Sequence, residues 1–356
     1  MAPGIQDIEF YTYYSVCILY IHFLIMIGNK FSYTIVTLLF ASIFTSCYHE
    51  VDLSGYRDED GKNLLTLNSL VCPDSVVAVS ATRTYFFSDT HNERNYVKGL
   101  KIGLCINGEE KELLSYDQSR NLYVSVSKAN EGDEIGISTT FDNKEVKTAD
   151  IIPYRCELSD IIVERRGPVA VYSNYDFVFT YRLTFTDNPD EENYYFLQWD
   201  EVDRGKDVAM GERDFTHELV FQKLADQIHG TLPGWTPYSP YGLPFSDRDI
   251  NGTTHTLVLE EIVQAANGSP AWKKTQMKRN FKLYSISKPY YDYLVSVLVN
   301  QTNDKGIQGG MIDLGIADPV KVYSNIIGGI GILGCYTKSE SEIDVIKITG
   351  SFPEKK

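Results

Sequence analysis

Residues 175–185, YDFVFTYRLTF, decide the fold class of this chain. Apolar and aromatic side chains recur at every second position, so they fall on one face of an extended strand. The turn residues 187–190, DNPD, lead into a second apolar run, Tyr194–Trp199. The pattern predicts a long β-hairpin whose aromatic face is core, because aromatic side chains bury large areas. The residues of that face are Tyr175, Phe177, Phe179, Tyr181, Leu183 and Phe185.

The stretch before this hairpin contains short runs of β-branched residues separated by turn residues. Asn107-Gly108 between two runs is the strongest short signal for a hairpin, and Pro153 closes the series. Many short strands at near-regular spacing predict a β-sandwich over residues 63–153, of an immunoglobulin-like or carboxypeptidase-regulatory-like type. The runs are 64–71, 75–80, 99–106, 122–126, 134–141 and 145–152.

The stretch after Cys156 predicts a second, β-rich domain over residues 156–348 that contains one clear helix. Ser287 opens the helix, Pro289 lies near its first turn, and apolar residues follow at helical spacing as far as Gly306. The predicted fold class is therefore mostly β, with two β-sandwich-like domains and one α-helix at about 288–304 in the second.

Residues 26–46 have the layout of a lipoprotein signal peptide that ends before Cys47. Lys30 supplies the positive charge, residues 33–44 form a short apolar run, and Thr45 and Ser46 are the small residues before the cysteine. The run is too short to cross a bilayer, which takes about 20 apolar residues. We therefore predict that Cys47 is acylated and holds the protein on a lipid bilayer, with residues 47–62 as a polar tether.

Residues 1–25 precede this signal, although a lipoprotein signal should begin the chain. Residues 8–25 are apolar, but Asp7 and Glu9 flank them where positive residues belong. We predict that Met26 is the true start and that residues 1–25 are an upstream extension. The alternative is a first transmembrane helix at about residues 8–28, which is long enough to span a bilayer.

Composition narrows the class of partner. The chain has 356 residues and a net charge of −15, which argues against nucleic acid as a partner, because a basic surface supplies most of the affinity for nucleic acid.

The cysteines of the two predicted domains form no C-x-x-C pair, so their spacing supports neither a zinc site nor a redox pair. These cysteines are Cys72, Cys105, Cys156 and Cys335.

Residues 231–245, TLPGWTPYSPYGLPF, differ from the rest of the chain because prolines interleave with aromatic residues. Proline removes backbone donors and breaks helices and sheets, so we predict a stiff loop. One interpretation is a contact surface for a sugar, a peptide or a partner protein, and the other is a compact loop packed on its own side chains. The contact residues would be Trp235, Tyr238, Tyr241 and Phe245.

Two further motifs match functional patterns incompletely. Residues 329–334, GIGILG, have the spacing of a dinucleotide-binding loop but lack the helix that should follow, so we interpret the glycines as points of close backbone approach. Asp247, Asp249 and Asn251 begin a calcium-loop pattern, but its twelfth position is Val258 instead of glutamate. We expect neither a metal nor another cofactor.

Several segments follow Cys47 in a characteristic order. They are Thr148–Pro153, Tyr194–Tyr195, Phe245–Asp247, Asn251–Gly252, Tyr290–Leu294 and Asn325–Gly334. This order resembles the domain-of-unknown-function 4249 lipoproteins of Bacteroidetes-type bacteria. That resemblance implies an outer-membrane lipoprotein, facing the periplasm or the cell exterior, that accompanies a TonB-dependent receptor. It supplies no catalytic residues.

Three hypotheses for function follow. The first is a lipid-anchored, non-enzymatic accessory or ligand-capture subunit beside a TonB-dependent transporter. The second is an exported hydrolase acting on glycans or peptides, with Asp247 or Asp249 in a cleft. The third is a structural protein of the cell envelope.

Overall fold

The described part of the chain is mostly β-strand, as the alternating sequence pattern predicts. The computed structural model describes residues 64–84, 96–171, 176–189, 191–202, 211–215, 218–221, 224, 242–264, 276–303 and 321–352. The predicted signal peptide, the tether with Cys47, and Trp235, Tyr238 and Tyr241 of the proline-rich loop lie outside these residues.

The described strands fall into an N-terminal and a C-terminal set. The first set is β1 (Leu65–Val71), β2 (Val76–Arg83), β3 (Gly103–Ile106), β4 (Glu109–Leu113), β5 (Ser115–Asp117), β6 (Leu122–Lys128), β7 (Glu134–Phe141) and β8 (Lys144–Ile151). The second set is β9 (Leu158–Val169), β10 (Asp176–Thr186), β11 (Tyr194–Glu201), β12 (Glu212–Asp214), β13 (Leu243–Ser246), β14 (Thr254–Gln264), β15 (Lys278–Ile286) and β16 (Ile330–Asp344).

One eight-stranded sheet runs through both sets, in the order β13-β11-β15-β16-β1-β2-β6-β5. A four-stranded sheet, β4-β3-β7-β8, packs on its N-terminal half, and another, β12-β14-β10-β9, packs on its C-terminal half. The result is two β-sandwich-like halves, each made of two packed sheets and each with its own hydrophobic core. The long sheet that they share was not predicted from the sequence.

The aromatic face of β10 is core, as predicted, but the predicted hairpin is wrong. Phe179, Tyr181 and Phe185 are 0% exposed. However, β10 pairs with β9 and β14, whereas β11 pairs with β13 and β15 in the other sheet. The two strands pack face to face, with the rings of Tyr181 and Trp199 5.0 Å apart. β10 and β11, although consecutive along the chain, therefore lie in different sheets.

Local turn chemistry behaves as the sequence predicts. Asn107 and Gly108 adopt φ angles of 54° and 77° and join β3 to β4. Asp142 and Asn143, at 49° and 61°, join β7 to β8 in the same way. Two successive residues with positive φ match the right-handed twist of the strands that they connect.

The glycine-rich segment 329–334 brings β16 close to its neighbours. β16 runs parallel to β1, with Leu67 opposite Gly331. A Cβ atom at Gly331 would lie 2.0 Å from the carbonyl oxygen of Leu67, and one at Gly334 would lie 2.9 Å from the ring of Tyr290. The predicted close backbone approach is therefore confirmed. It allows β16 to contribute Leu333 and Cys335 to the N-terminal core.

The predicted helix is confirmed as α1 (Lys288–Asn303), and a short α2 (Val345–Thr349) follows β16. Ser287 is the N-cap of α1, because its Oγ accepts a 3.4 Å hydrogen bond from the amide of Tyr290. Within the described part of the chain, neither helix combines the length and the apolar character needed to cross a bilayer.

Candidate functional site

A cleft lies where the end of β8 meets the start of α1. Its first cavity has a volume of about 460 Å³ and is lined by the segments 149–154, 191–194 and 285–289. A second cavity of about 480 Å³ adjoins it and is lined by α1 together with Ser246, Arg248 and Tyr323. Glu192, Tyr194 and Lys288 line both cavities, so the two cavities lie side by side, and together they are called the cleft.

Tyrosine rings and charged groups meet at the centre of this cleft. The rings of Tyr194 and Tyr291 are 4.8 Å apart at 37°. The Lys288 ammonium lies 5.9 Å from the centre of the Tyr194 ring and 2.6 Å from the carboxylate of Asp292. A tyrosine presents an apolar body and a polar tip, which suits the recognition of ligands that are only partly polar.

The cleft keeps its tyrosines in the neutral form. Burial raises the pKa of Tyr194 first, and a hydrogen bond with Glu192 and the charges of Glu192 and Asp292 raise it further. Burial and then the charge of Asp292 raise the pKa of Tyr291 as well. Their phenols therefore stay protonated to a higher pH than an ordinary tyrosine and retain their hydrogen-bond donors.

The wall of the first cavity contains a buried joint between the two sandwiches. The hydroxyl of Ser287 donates a 2.5 Å hydrogen bond to Asp150 Oδ2, and the amide of Cys335 donates to the same oxygen at 2.9 Å. Asp150 comes from β8, Ser287 precedes α1, and Cys335 belongs to β16. The three groups thus tie the N-terminal sandwich to the helix and to the shared sheet.

Asp150 itself is unusual among the carboxylates of the cleft because it is only 7% exposed. Burial raises the pKa of Asp150 to about 6, although hydrogen bonds from Ser287, Ile151 and Cys335 act in the opposite direction. Ser287 also caps α1. The contacts of Asp150 and Ser287 therefore connect the two sandwiches and cap α1.

Phe245 would present its ring to a partner under one of the two interpretations of the proline-rich loop, and the structure does not support that interpretation for this residue. It lies in β13, paired with Tyr195, and is 1% exposed. Its ring packs 5.3 Å from Tyr195 and 5.4 Å from Phe221. Phe245 is therefore a core residue, because the strand begins at Leu243, inside the segment predicted as loop.

The structure does not bring the calcium-pattern residues together as ligands. Asp247 is 0% exposed, and its Oδ2 accepts a 2.8 Å hydrogen bond from the amide of Asn193. Asp249 and Asn251 are exposed. Across the described ranges, His, Cys, Asp and Glu side chains form no group of three or more that could hold a metal.

The sequence reasoning missed this cleft, although several segments that carry the family resemblance surround it. Thr148–Pro153 supplies Ala149 to Pro153, Tyr194–Tyr195 supplies Tyr194, and Tyr290–Leu294 supplies Tyr291 and Asp292. These segments are far apart in the chain. Their common position in space is the signal that could have pointed to the site.

Comparisons with other proteins add family membership. No curated protein matches the chain. A solved structure of a proposed membrane anchored protein from Corynebacterium diphtheriae aligns over 63% of this chain at 8% identity, with a TM-score of 0.19. The aligned part spans 55% of that chain. The family described as domain of unknown function DUF4249 matches residues 52–342, and the chain belongs to this family.

Proposed function

We propose that this protein is a lipid-anchored protein of the outer membrane that captures a ligand or a partner without catalysing a reaction. In this proposal it serves as an accessory subunit beside a TonB-dependent transporter. The acylated residue is Cys47, and residues 47–62 separate the anchor from the folded part. Stable anchoring takes more than one acyl chain, as a lipoprotein cysteine would supply.

The observation that carries the proposal is the cleft, in which two adjoining cavities share Glu192, Tyr194 and Lys288. Its volume is within the range of small-molecule and peptide sites, and a few polar groups converge in it. Tyrosine is enriched in recognition surfaces relative to the rest of the protein surface, and two tyrosine rings meet in this cleft. The groups shared by the two cavities, Glu192 and Lys288, are exposed, so a ligand can reach them from solvent.

The test is a pull-down of the full-length protein from its own envelope in mild detergent, with mass spectrometry of the mature N-terminus and of retained proteins. The cleft variant combines Glu192→Ala with Lys288→Ala. The matched control combines Glu109→Ala with Lys111→Ala, which removes an exposed ion pair from β4 and leaves the net charge equally unchanged. Both variants remove exposed groups, so we expect both to fold.

The proposal expects an acylated Cys47 and a stoichiometric barrel receptor retained by the wild type and by the control. The cleft variant should retain at least tenfold less receptor. Equal retention by the cleft variant would contradict the role of the cleft, and an intact Met1 would contradict the lipid anchor. The two other hypotheses predict different results: a structural protein retains no transporter, and a hydrolase releases products from glycans or peptides.

A further inference from the structure

We infer that the buried carboxylates of Asp187 and Asp247 form a site for a hard cation, of which calcium is the best match. The site adjoins the cleft, because Asn193, which donates hydrogen bonds to Asp247, lines the first cavity. It is independent of the proposed capture function. It also departs from the expectation, drawn from the sequence, that the chain holds no metal.

The two carboxylates are buried without a positively charged partner. Asp247 is 0% exposed and Asp187 is 3% exposed. Among the described residues, every donor that bonds to these carboxylates is neutral, namely the two amide groups of Asn193, the Tyr195 hydroxyl and the Gly252 amide. Buried charge is costly unless it is paired. Two neighbouring buried carboxylates therefore call for a proton or a cation.

One oxygen of Asp247 decides between these two possibilities. Oδ2 accepts hydrogen bonds of 2.8 and 3.4 Å from the backbone and side-chain amides of Asn193. Oδ1 is just as deeply buried and has no hydrogen-bond partner in the described part of the chain. A proton on Oδ1 would need an acceptor, which is missing there. A cation needs only the lone pairs of the oxygen, so it satisfies Oδ1 where a proton does not.

The charge of Asp187 lies close enough to Asp247 to act on it. Burial raises the pKa of Asp247 most, hydrogen bonds from Asn193 lower it, and the charges of Asp187 and Glu192 raise it further. A field that disfavours a second negative charge favours a cation at the same place. Because Glu192 is exposed, the buried partner in this field is Asp187.

The loops that carry the two carboxylates are bonded to other segments that hold them in place. The amide of Asp247 donates a 3.0 Å hydrogen bond to the carbonyl of Asn193, and the amide of Asp187 donates one of 3.0 Å to the carbonyl of Thr253. The Gly252 amide donates to Asp187 Oδ2 at 2.7 Å. The carboxylates are thus positioned before an ion arrives, and an ordered site loses less conformational freedom on binding.

The chemistry of the donors selects the cation. Both side-chain ligands are carboxylates, whereas soft metals prefer sulfur and nitrogen. The described His, Cys, Asp and Glu side chains form no group of three or more, so backbone carbonyl oxygens and water would supply the remaining ligands. Calcium accepts such a mixed set of oxygens in flexible geometry, whereas magnesium demands a near-ideal octahedron and gives up its water reluctantly. A buried pair of carboxylates therefore favours calcium.

The experiment measures calcium binding to the full-length protein, purified in detergent and freed of metal with EDTA, by isothermal titration calorimetry. Terbium luminescence gives a second readout, because the ring of Tyr195, whose hydroxyl bonds to Asp187, can sensitise a terbium ion in the site. The test variant is Asp247→Asn. The matched control is Asp249→Asn, which removes the same charge from an exposed residue two positions away.

We expect the wild type to bind calcium in preference to magnesium. Asp249→Asn should bind with an affinity within about twofold of the wild type, and Asp247→Asn at least about tenfold more weakly, because affinity follows the charge of the ligands. Calcium should also raise the thermal unfolding midpoint of the wild type and leave that of Asp247→Asn unchanged.

Equal calcium affinity in Asp247→Asn and the wild type would overturn the inference, because the acidic surface would then explain the binding. If Asp247→Asn does not fold, the wild type alone decides. A wild type that binds no calcium, and whose unfolding midpoint is the same in EDTA and in calcium, would mean that the buried carboxyl holds a proton instead. That result would leave the proposed function standing, since retention of the transporter is tested separately.

Discussion

Arg279 and Glu261 form a two-point ion pair that is sealed between the sheets of the C-terminal sandwich. The Arg279 Nη2 and Nε atoms donate hydrogen bonds of 2.9 and 3.1 Å to the two carboxylate oxygens, and both side chains are 0% exposed. The Tyr181 hydroxyl and the Gly211 amide each donate to the same carboxylate at 2.8 Å. Glu261 lies in β14 and Arg279 in β15, so the pair links the two sheets.

Arg279→Met is predicted to destabilise the fold strongly. It leaves the Glu261 carboxylate buried without its cation, and breaking a buried pair in this way costs about 3–5 kcal/mol. The measurement is the free energy of unfolding in urea. Adding Glu261→Leu removes the stranded charge, so the double variant should be more stable than Arg279→Met alone. A loss below about 1 kcal/mol for Arg279→Met would show that the pair is not a structural link.

Asp150 should make the stability of the protein depend on pH. Its pKa is about 6 in the folded chain, above its ordinary value of 3.8. The folded state therefore holds a proton that the unfolded state has already lost, and stability falls as pH rises from about 4 to about 6. Below that window both states are protonated, and above it the folded state contains a buried charge. The shift corresponds to a fall of roughly 3 kcal/mol.

Asp150→Asn tests this dependence because asparagine does not titrate. The free energy of unfolding of wild type and variant is measured in urea at pH 4, 5, 6 and 7. The difference between the two proteins should change by roughly 3 kcal/mol across that range, with the wild type relatively more stable at pH 4. If the unfolding free energies of the two proteins ran parallel against pH, Asp150 would not be the cause of the pH dependence. Because the comparison is a difference, titration of other groups cancels.

Strands and turns were predictable from the sequence because their signals are local. The alternation of residues 177–185 specifies which face of β10 is buried, and Asn107-Gly108 specifies a turn that needs positive φ. Neither signal says which strand pairs with which. Phe185 and Tyr195 are close in sequence, yet their strands lie in different sheets, because strands distant in the chain supply the pairing partners: β14 pairs with β10, and β15 pairs with β11.

The cleft was not predictable for a related reason. Asp150, Glu192 and Lys288 come from three distant segments, and none of them has a spacing that indicates a site. Only Ser287 had a local signal, as the start of a helix. A contact surface was one of two interpretations of the aromatic residues in 231–245, and the side chain of Phe245, which the structure describes, belongs to the core.

Gly331→Ala is predicted to disturb the junction between β1 and β16. Gly331 has a φ of 117°, and a Cβ atom there would lie 2.0 Å from the Leu67 carbonyl oxygen. Strained backbone costs about 1–3 kcal/mol, and the steric clash adds to that cost. Gly108→Ala is the matched control, since its φ of 77° is also positive but no atom lies within 4 Å of the added carbon. In urea unfolding, equal losses for the two variants would rule out a special role for the junction.

Phe245→Ala tests whether the Phe245 ring lies in the hydrophobic core or on an exposed loop. The core position, with Tyr195 5.3 Å and Phe221 5.4 Å away, predicts a loss of about 3–5 kcal/mol, because the substitution leaves a cavity. Tyr154→Ala is the control: that side chain is 63% exposed at the rim of the cleft, so its removal should leave the unfolding free energy nearly unchanged. Retention of the transporter should respond in the opposite way, falling for Tyr154→Ala and persisting in folded Phe245→Ala. Wild-type stability combined with lost retention in Phe245→Ala would instead support the ring as part of an exposed contact loop.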